Sequence, residues 1–567
     1  MRRYILLCLL CSHVSVFAAP LDRQEELSSK AGAVLKHLGQ WMEGEIKLDQ
    51  LSKDLARDFH INIHLDGGEL TSHQGGVRLG GSGRGDISAA IAPRKATSLG
   101  QLNKHINGEV LRTKFKIIEF RVDNSQKNNF STRQLVALFI KTDKGFREIN
   151  TEWKAKWLVA GEDVKLVELI GGAVEDSRLT GASLMFEDKT SSVLNLNDHE
   201  NTLVYQGANH WLHHIETALR PEFFALSGLS VADVNGDGRE DVYLCQLGGM
   251  PNALFIQQPD GTFINKAKES VVDFQDNSTC ALFIDFDNDG DQDMALACAT
   301  GLAILENDSM GRFKLIKLFK DVLYSYGLCA ADYDQDGLVD IYACRYYGNQ
   351  SVRKGQHSVQ GNIPVPHPVY DATNGGGNSL LRNKGNLEFE DVTKIAGLNT
   401  DNNRFTYAAH WDDWDNDGDQ DLYVANDFGR NNMYRNDEGV FSEVSKLSGL
   451  MSAELSMGAC SGDFNGDGNM DIHVSNMFSS AGSRVTRQQA FKSGTDQQMK
   501  KTFQLLAKGN SLSLNQGGGR FKTAGDSAGI TVGRWSWGTL AADINNDGWD
   551  DLLVANGFIT GKEADDL

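Results

Sequence analysis

The chain has 567 residues, 40% of them apolar and only 8 of them proline, which is a globular composition long enough for more than one domain. A formal net charge of −21 argues against nucleic acid as a partner, because phosphate binding needs a basic footprint. Divalent cations are the natural complement of such a surface, and 59 glycines imply the many tight turns of an all-β repeat protein.

The N-terminus reads "MRRYILLCLLCSHVSVFAAP". Arg2 and Arg3 form a basic start, Ile5 to Leu10 an apolar stretch, and Val16-Phe17-Ala18 a small-residue cleavage site. Residues 1–18 are therefore expected to be a signal peptide, and the mature chain to be exported to the periplasm, the cell surface or the medium. No other segment is apolar for the length of a membrane helix. Residues 19–65 are expected to be helical, with Leu27, Ala31, Val34, Leu35 and Leu38, then Leu48, Leu51 and Leu55, at helical spacing up to residue 59. Residues 66–108 form a linker that is glycine-rich between Gly67 and Gly85. From residue 109 to 180 the pattern turns to β: "TKFKIIEFRV", "RQLVALFIKT", "EINTEWKAKWLVA" and "KLVELIGGAV" predict an antiparallel sheet. Helices followed by a curved sheet resemble the nuclear-transport-factor-2-like cone fold, which implies a binding pocket or a dimerisation module.

Beyond residue 180 one pattern dominates. "DVNGDGRED" from Asp233 recurs as "DFDNDGDQD" from Asp285, "DYDQDGLVD" from Asp332, "DWDNDGDQD" from Asp413, "DFNGDGNMD" from Asp463 and "DINNDGWDD" from Asp543. Acidic or amide residues hold positions one, three, five and nine, with glycine at six. Calcium takes six to eight oxygens, and alternate side chains around a sharp glycine turn can supply them. The predicted ligands are Asp233, Asn235, Asp237 and Asp241; Asp285, Asp287, Asp289 and Asp293; Asp332, Asp334, Asp336 and Asp340; Asp413, Asp415, Asp417 and Asp421; Asp463, Asn465, Asp467 and Asp471; and Asp543, Asn545, Asp547 and Asp551, for up to six Ca2+. These are not EF-hands: position twelve is apolar (Leu296, Val424) where an EF-hand needs glutamate, and both flanks read as strands. The alternative, an acidic turn that binds nothing, fits a single copy better than six.

Successive loops start 52, 47, 81, 50 and 80 residues apart, a period that fits four-stranded propeller blades. Strands opening on Asn252, Asn378 and Asn510, and aromatic-led strands such as "EFEDVT", complete each blade as strand, calcium loop, strand, turn, strand, turn, strand. These units resemble FG-GAP (VCBS) repeats, as in integrin α-chain propellers. "NSLLRNKGNLEFEDVTKIAGL" followed by "WDDWDNDGDQDLYVANDF" is similar to the cartilage-acidic-protein/UnbV type. The expected fold is mainly β: a calcium-binding β-propeller over residues 181–567, preceded by a small α+β domain. Six blades are counted, or seven if one lacks a loop. The sixth unit lacks its last strands, and "FEDKT" at Phe186–Thr190 is expected to close the ring by joining the last blade. A helix with Leu203, Gly207, Trp211, Ile215 and Leu219 is expected to follow, over the propeller.

Insertions at 345–377 and 479–509 fall between second and third strands, on the face opposite the calcium turns. That face is expected to hold Arg345, Arg404, Arg484, Arg487, Arg534, Trp535 and Trp537 as ligand-binding residues for a carboxylated glycan or an acidic protein segment. It also carries the pairs Asn426/Phe428, Asn476/Phe478 and Asn556/Phe558, read either as ligand contacts or as turn caps and interface fillers. Cys245, Cys280, Cys298, Cys329, Cys344 and Cys460 are read as either disulfide partners or small buried strand residues. The expected function is an exported binding or adhesion module for a glycan or protein. The alternative is an extracellular polysaccharide-degrading enzyme, for which the sequence offers no convergent acid, base or nucleophile.

Overall fold

The computed structural model describes residues 18–64, 95–96, 98–123, 128–180, 188–194, 228–348, 366–488, 491–492, 494–524 and 528–557. The glycine-rich stretch 67–85, the helix expected around Trp211, and Phe558 lie outside these residues, as does the signal segment apart from Ala18.

The N-terminal domain starts with helix α1 (Ala18–Met42). Its Ala31, Val34, Leu35, Leu38 and Met42 form one buried face at the expected spacing. One helical turn follows at Leu48–Leu51. The helical expectation fails beyond it, because Leu55–His64 is strand β1. Ile61 and Ile63 alternate into the core there, and β1 runs parallel to β6, so sheet pairing overrides the local leucine spacing. Strand β2 (Lys95–Ala96) and helix α2 (Leu99–Ile106), N-capped by Ser98, lead into a long antiparallel meander. Its strands are β3 (Glu109–Val122), β4 (Asn129–Thr142), β5 (Gly145–Ala160) and β6 (Asp163–Thr180), in sheet order β2-β1-β6-β5-β4-β3. Strict alternation along β4 buries Phe130, Val136, Leu138 and Ile140 with Trp153 and Trp157 under α1. Register shifts in the β3–β4 and β5–β6 pairings bend the sheet around this core.

The rest of the described chain forms six sheets in succession. Blade one holds β7 (Leu229–Ala232), β8 (Asp241–Leu244), β9 (Ala253–Gln257) and β10 (Phe263–Asn265). Blade two holds β11 (Ser278–Ile284), β12 (Asp293–Cys298), β13 (Gly301–Asn307) and β14 (Phe313–Phe319). Blade three holds β15 (Ser325–Ala331), β16 (Asp340–Arg345), β17 (Ser379–Asn383) and β18 (Phe389–Asp391). Blade four holds β19 (Phe405–Asp412), β20 (Asp421–Phe428), β21 (Asn432–Asp437) and β22 (Val440–Glu443). Blade five holds β23 (Ser456–Gly462), β24 (Asp471–Asn476), β25 (Ser511–Asn515) and β26 (Phe521–Thr523). The sixth sheet has two described strands, β27 (Ser536–Ala542) and β28 (Asp551–Asn556).

Every acidic loop joins the first and second strands of its blade, as the sequence predicts. The first strands β7, β11, β15, β19, β23 and β27 are neighbours in that order, and apolar residues fill the space between adjacent blades. At the two ends of the series Leu229 and Val231, and Leu540 and Leu553, are exposed. Of the "FEDKT" segment only Asp188–Thr190 is described, so the strand expected to close the ring lies mostly outside the described residues; Leu194, four residues on, pairs with Phe263 on the outer strand of blade one. The six described cysteines are free thiols, buried or half-buried on or beside strands. Two helices, α3 (Ser480–Thr486) and α4 (Gln497–Leu505), lie within the second insertion.

Candidate metal centres and the opposite face

Each acidic loop is wound by its own side chains. In the fourth, Asp413 Oδ1 accepts from Asp417 N at 3.1 Å and Oδ2 from Gly418 N at 2.9 Å. Asp417 Oδ1 then accepts from Asp419 N at 3.0 Å. The position-one aspartates of the other five loops repeat the first two bonds. Glycine at position six is required, because Gly418 sits at φ +98°. Position four is also left-handed, at Asn288, Gln335, Asn416 and Asn546 or at Gly236 and Gly466. The amide or glycine before each central aspartate was legible in the sequence as a turn signal, yet it does not figure in the ligand pattern.

The winding brings oxygens together. One carboxylate oxygen from each of Asp285, Asp287 and Asp289 lies within 4.8 Å of the others, and the same holds for Asp332, Asp334 and Asp336 and for Asp413, Asp415 and Asp421. At position three, Asp334 Oδ1, Asp415 Oδ1 and Asn545 Oδ1 are buried with no hydrogen-bond partner. Burial, then neighbouring carboxylates, raises Asp287, Asp334 and Asp415 above the usual carboxylate range. Hard oxygen donors, crowded negative charge and orphaned buried oxygens are what a calcium-sized cation would satisfy. Arg382 reaches the third loop from β17, with Nε 2.8 Å from Asp334 Oδ2, and partly offsets its charge.

The position-nine aspartate does more than close the ring. Asp421, fully buried, accepts from Trp414 N at 3.3 Å and from Asn436 N at 2.8 Å, and so ties its loop to the third strand. Asp241, Asp293, Asp340 and Asp471 make the same two bonds. Burial pushes the carboxyls up, to about 6 for Asp241 and Asp471 and about 7 for Asp293, Asp340 and Asp421.

A second set of residues went unread in the sequence. Asn436 Nδ2 donates to Gln420 O in its own loop and to Tyr333 O in the loop of the preceding blade, at 3.1 and 2.9 Å. Asn307, Asn383 and Asn515 do the same in blades two, three and five. These asparagines staple each loop to its neighbour. Their only sequence signal was an asparagine at or near the end of the third strand.

On the other face, three of the predicted arginines are held by partners within the protein. Arg345 is buried, and its Nε donates to Leu323 O at 3.1 Å. Arg404 is buried between Asp371 and Asp401, each at 2.8 Å. Arg487 ends α3. Arg534 sits at φ +64°, and its carbonyl accepts from Phe478 N. Arg484 grips the N-terminal domain: its Nε and Nη2 bond the two oxygens of Glu25 at 3.2 and 2.6 Å, and Nη1 bonds Ile117 O at 3.1 Å. The second insertion thus docks the first domain onto the propeller. Asn426 and Asn476 are buried caps of strand ends, whose amides bond nearby carbonyls and side chains. Trp535 and Trp537 do come together, stacked at 6.3 Å. The charge-assisted bonds from Arg484 to Glu25 contribute about 1.5–3 kcal/mol each. Arg484→Ala should therefore loosen the first domain and speed limited proteolysis between the domains. Glu25→Ala should give the same cleavage pattern, and the double variant should add little to either.

The FG-GAP-like repeat family matches residues 233–296, 285–343, 413–474 and 505–554, in register with the loops described above. No curated protein matches the chain. Among solved structures, the chain is similar to an Agrocybe aegerita lectin whose structure concerns recognition of non-reducing terminal N-acetylglucosamine. Identity is 16% over 59% of this chain and 75% of that one, with a TM-score of 0.35. It is also similar to the V. cholerae biofilm matrix protein Bap1, at 15% identity over 45% of this chain and 36% of that one, with a TM-score of 0.28. The NanB sialidase of Streptococcus pneumoniae is 11% identical over 70% of this chain and 57% of that one, with a TM-score of 0.24. Likenesses at that level do not bear on the ligand of this chain. No described helix is long and apolar enough to cross a membrane.

Proposed function

We propose that this chain, built on FG-GAP-like repeats, is an exported calcium-binding β-propeller that serves as a binding or adhesion module for a glycan or protein ligand. The observation that carries the calcium reading is the buried, unpartnered position-three oxygen at Asp334, Asp415 and Asn545, set among crowded carboxylates. The cation would supply positive charge that neutralises each loop and fixes its turn. The protein's part is to hold the oxygens in place through the backbone bonds of positions one, five and nine. Export is supported by the basic, apolar and small-residue sequence of the first 18 residues. The binding reading is supported by a rigid scaffold whose insertions gather on the face away from the loops, where recognition concentrates on such frames.

The test is an array of neutral, acidic and amino glycans probed with the full chain, once in calcium and once in chelator. Binding to at least one glycan class, lost or weakened tenfold on chelation, is expected. A chain that binds no glycan in calcium refutes the glycan reading.

A further inference from the structure

Five of the six first strands slip register at the same place. The shift falls between Ser278 and Cys280, Ser325 and Gly327, Thr406 and Ala408, Ser456 and Gly458, and Ser536 and Gly538. The extra residue is Thr279, Tyr326, Tyr407, Met457 or Trp537 in turn. A bulge re-aims the side chain it carries. Here it gathers rings from three blades at the end of the first strands remote from the acidic loops. Tyr326 and Tyr407 have ring centres 5.4 Å apart, and Tyr407 and Trp537 are 5.9 Å apart. Gly458 makes this approach possible, because a Cβ there would lie 2.8 Å from Trp537 O. Tyr326 and Trp537 are half-buried, so part of each ring reaches solvent.

A carboxylate sits beside this collar. Tyr346, 5.0 Å from Tyr326 and 5.6 Å from Tyr407 between ring centres, donates its hydroxyl to Asp427 Oδ2 at 2.6 Å. Among the described residues Asp427 is paired with no cation, and burial pushes its carboxyl up to about 7. Tyr407 is 7% exposed, and its hydroxyl has no hydrogen-bond partner. Burial, and then the Asp427 charge, pushes the Tyr407 phenol well up, which places the two groups near each other. A half-buried carboxylate without a counter-ion and a buried orphan hydroxyl are both costly unless something completes them. An ammonium group does so best, because the aromatic walls attract it as well. Arg404 and Arg484, two of the arginines that suggested an acidic ligand, are spent on the internal carboxylates of Asp371, Asp401 and Glu25, whereas Asp427 has no cation beside it among the described residues.

We infer that this collar binds an amino sugar, with its ammonium on Asp427 and its ring face on Trp537 and Tyr326. The inference rests on the glycan reading above and narrows it. Unsubstituted amines fill only the carboxylate, whereas a sugar ring also covers the half-buried aromatic faces.

Titration calorimetry on the full chain in calcium tests this with three probes: a glucosamine tetramer, its N-acetylated counterpart and lysine amide. The glucosamine tetramer should bind at least tenfold tighter than either of the others. Asp427→Asn should remove that preference, Trp537→Ala should weaken the tetramer at least tenfold, and the near-isosteric Tyr407→Phe should weaken it severalfold. Melting curves within a few degrees of the parent confirm that the variants are folded, and Tyr407→Phe keeps the test valid should Trp537→Ala unfold. Equal binding of the two tetramers, an unchanged Asp427→Asn variant, or lysine amide as tight as the sugar would each overturn the inference. The glycan reading survives those results if other sugars on the array bind, and falls only if none does.

Discussion

Chelating divalent cations is expected to lower the melting temperature by about 10 °C or more. A site saturated at a hundred times its dissociation constant adds about 2.7 kcal/mol, so about three filled loops are needed for that shift in a propeller whose melting entropy is roughly 2.1 cal/mol/K per residue. The loops depend on charge neutralisation, since five carboxylates crowd the turn from Asp413 to Asp421. The pH dependence has a definite sign. In the cation-free chain burial pushes the position-nine carboxyls of Asp241, Asp293, Asp340, Asp421 and Asp471 up to about 6 to 7, above the unfolded value of about 3.9. Their protonated forms therefore favour the fold. That contribution is complete below about pH 4 and is lost as pH rises through 6 to 7. A bound cation favours the ionised form and reverses the trend. The gap between calcium and chelator melting curves should thus widen from pH 5 to pH 7.5. At pH 6.5 calcium binding should release protons, read as calorimetric heats that vary with buffer ionisation enthalpy. Superimposable melting curves at pH 7.5 would remove calcium from the account.

Replacing Asn436 by alanine is expected to cost about 2–4 kcal/mol, whether or not calcium is present. The side chain is fully buried, and its Nδ2 holds two carbonyls, one on each side of a blade boundary. Alanine leaves both carbonyls without partners and opens a small void. The backbone bond from Asn436 N to Asp421 survives, so the loop keeps its brace while the blades lose their staple. Urea melts of the Asn436→Ala and Asn383→Ala variants, with and without calcium, measure this. A loss that appears only in calcium would mean that the asparagine shapes the cation site rather than the blade boundary.

Much of the architecture was legible in the chain itself. Local geometry set the loop: alternating oxygens, a left-handed glycine and flanking strands read the same in sequence and in space at Asp285–Asp293 as at Asp413–Asp421. The period near fifty residues likewise gave the blade, because a four-stranded meander is a local object. The helical reading of Leu55 and Phe59 failed because β1 pairs with β6, more than a hundred residues away.

The face opposite the loops was not legible for the same reason. Arg484 looked free because Glu25 lies 459 positions away, and Arg404 because Asp371 belongs to an insertion. Nothing local marked Tyr326, Tyr407 and Trp537 as neighbours, since a shared bulge and the stacking of blades bring them together. The sequence alone determined the repeat, the loops and their chemistry, because those depend on residues within about ten positions of each other. Tertiary structure alone decided which charges are already paired and which rings meet, because that depends on the order in which blades pack around a common axis.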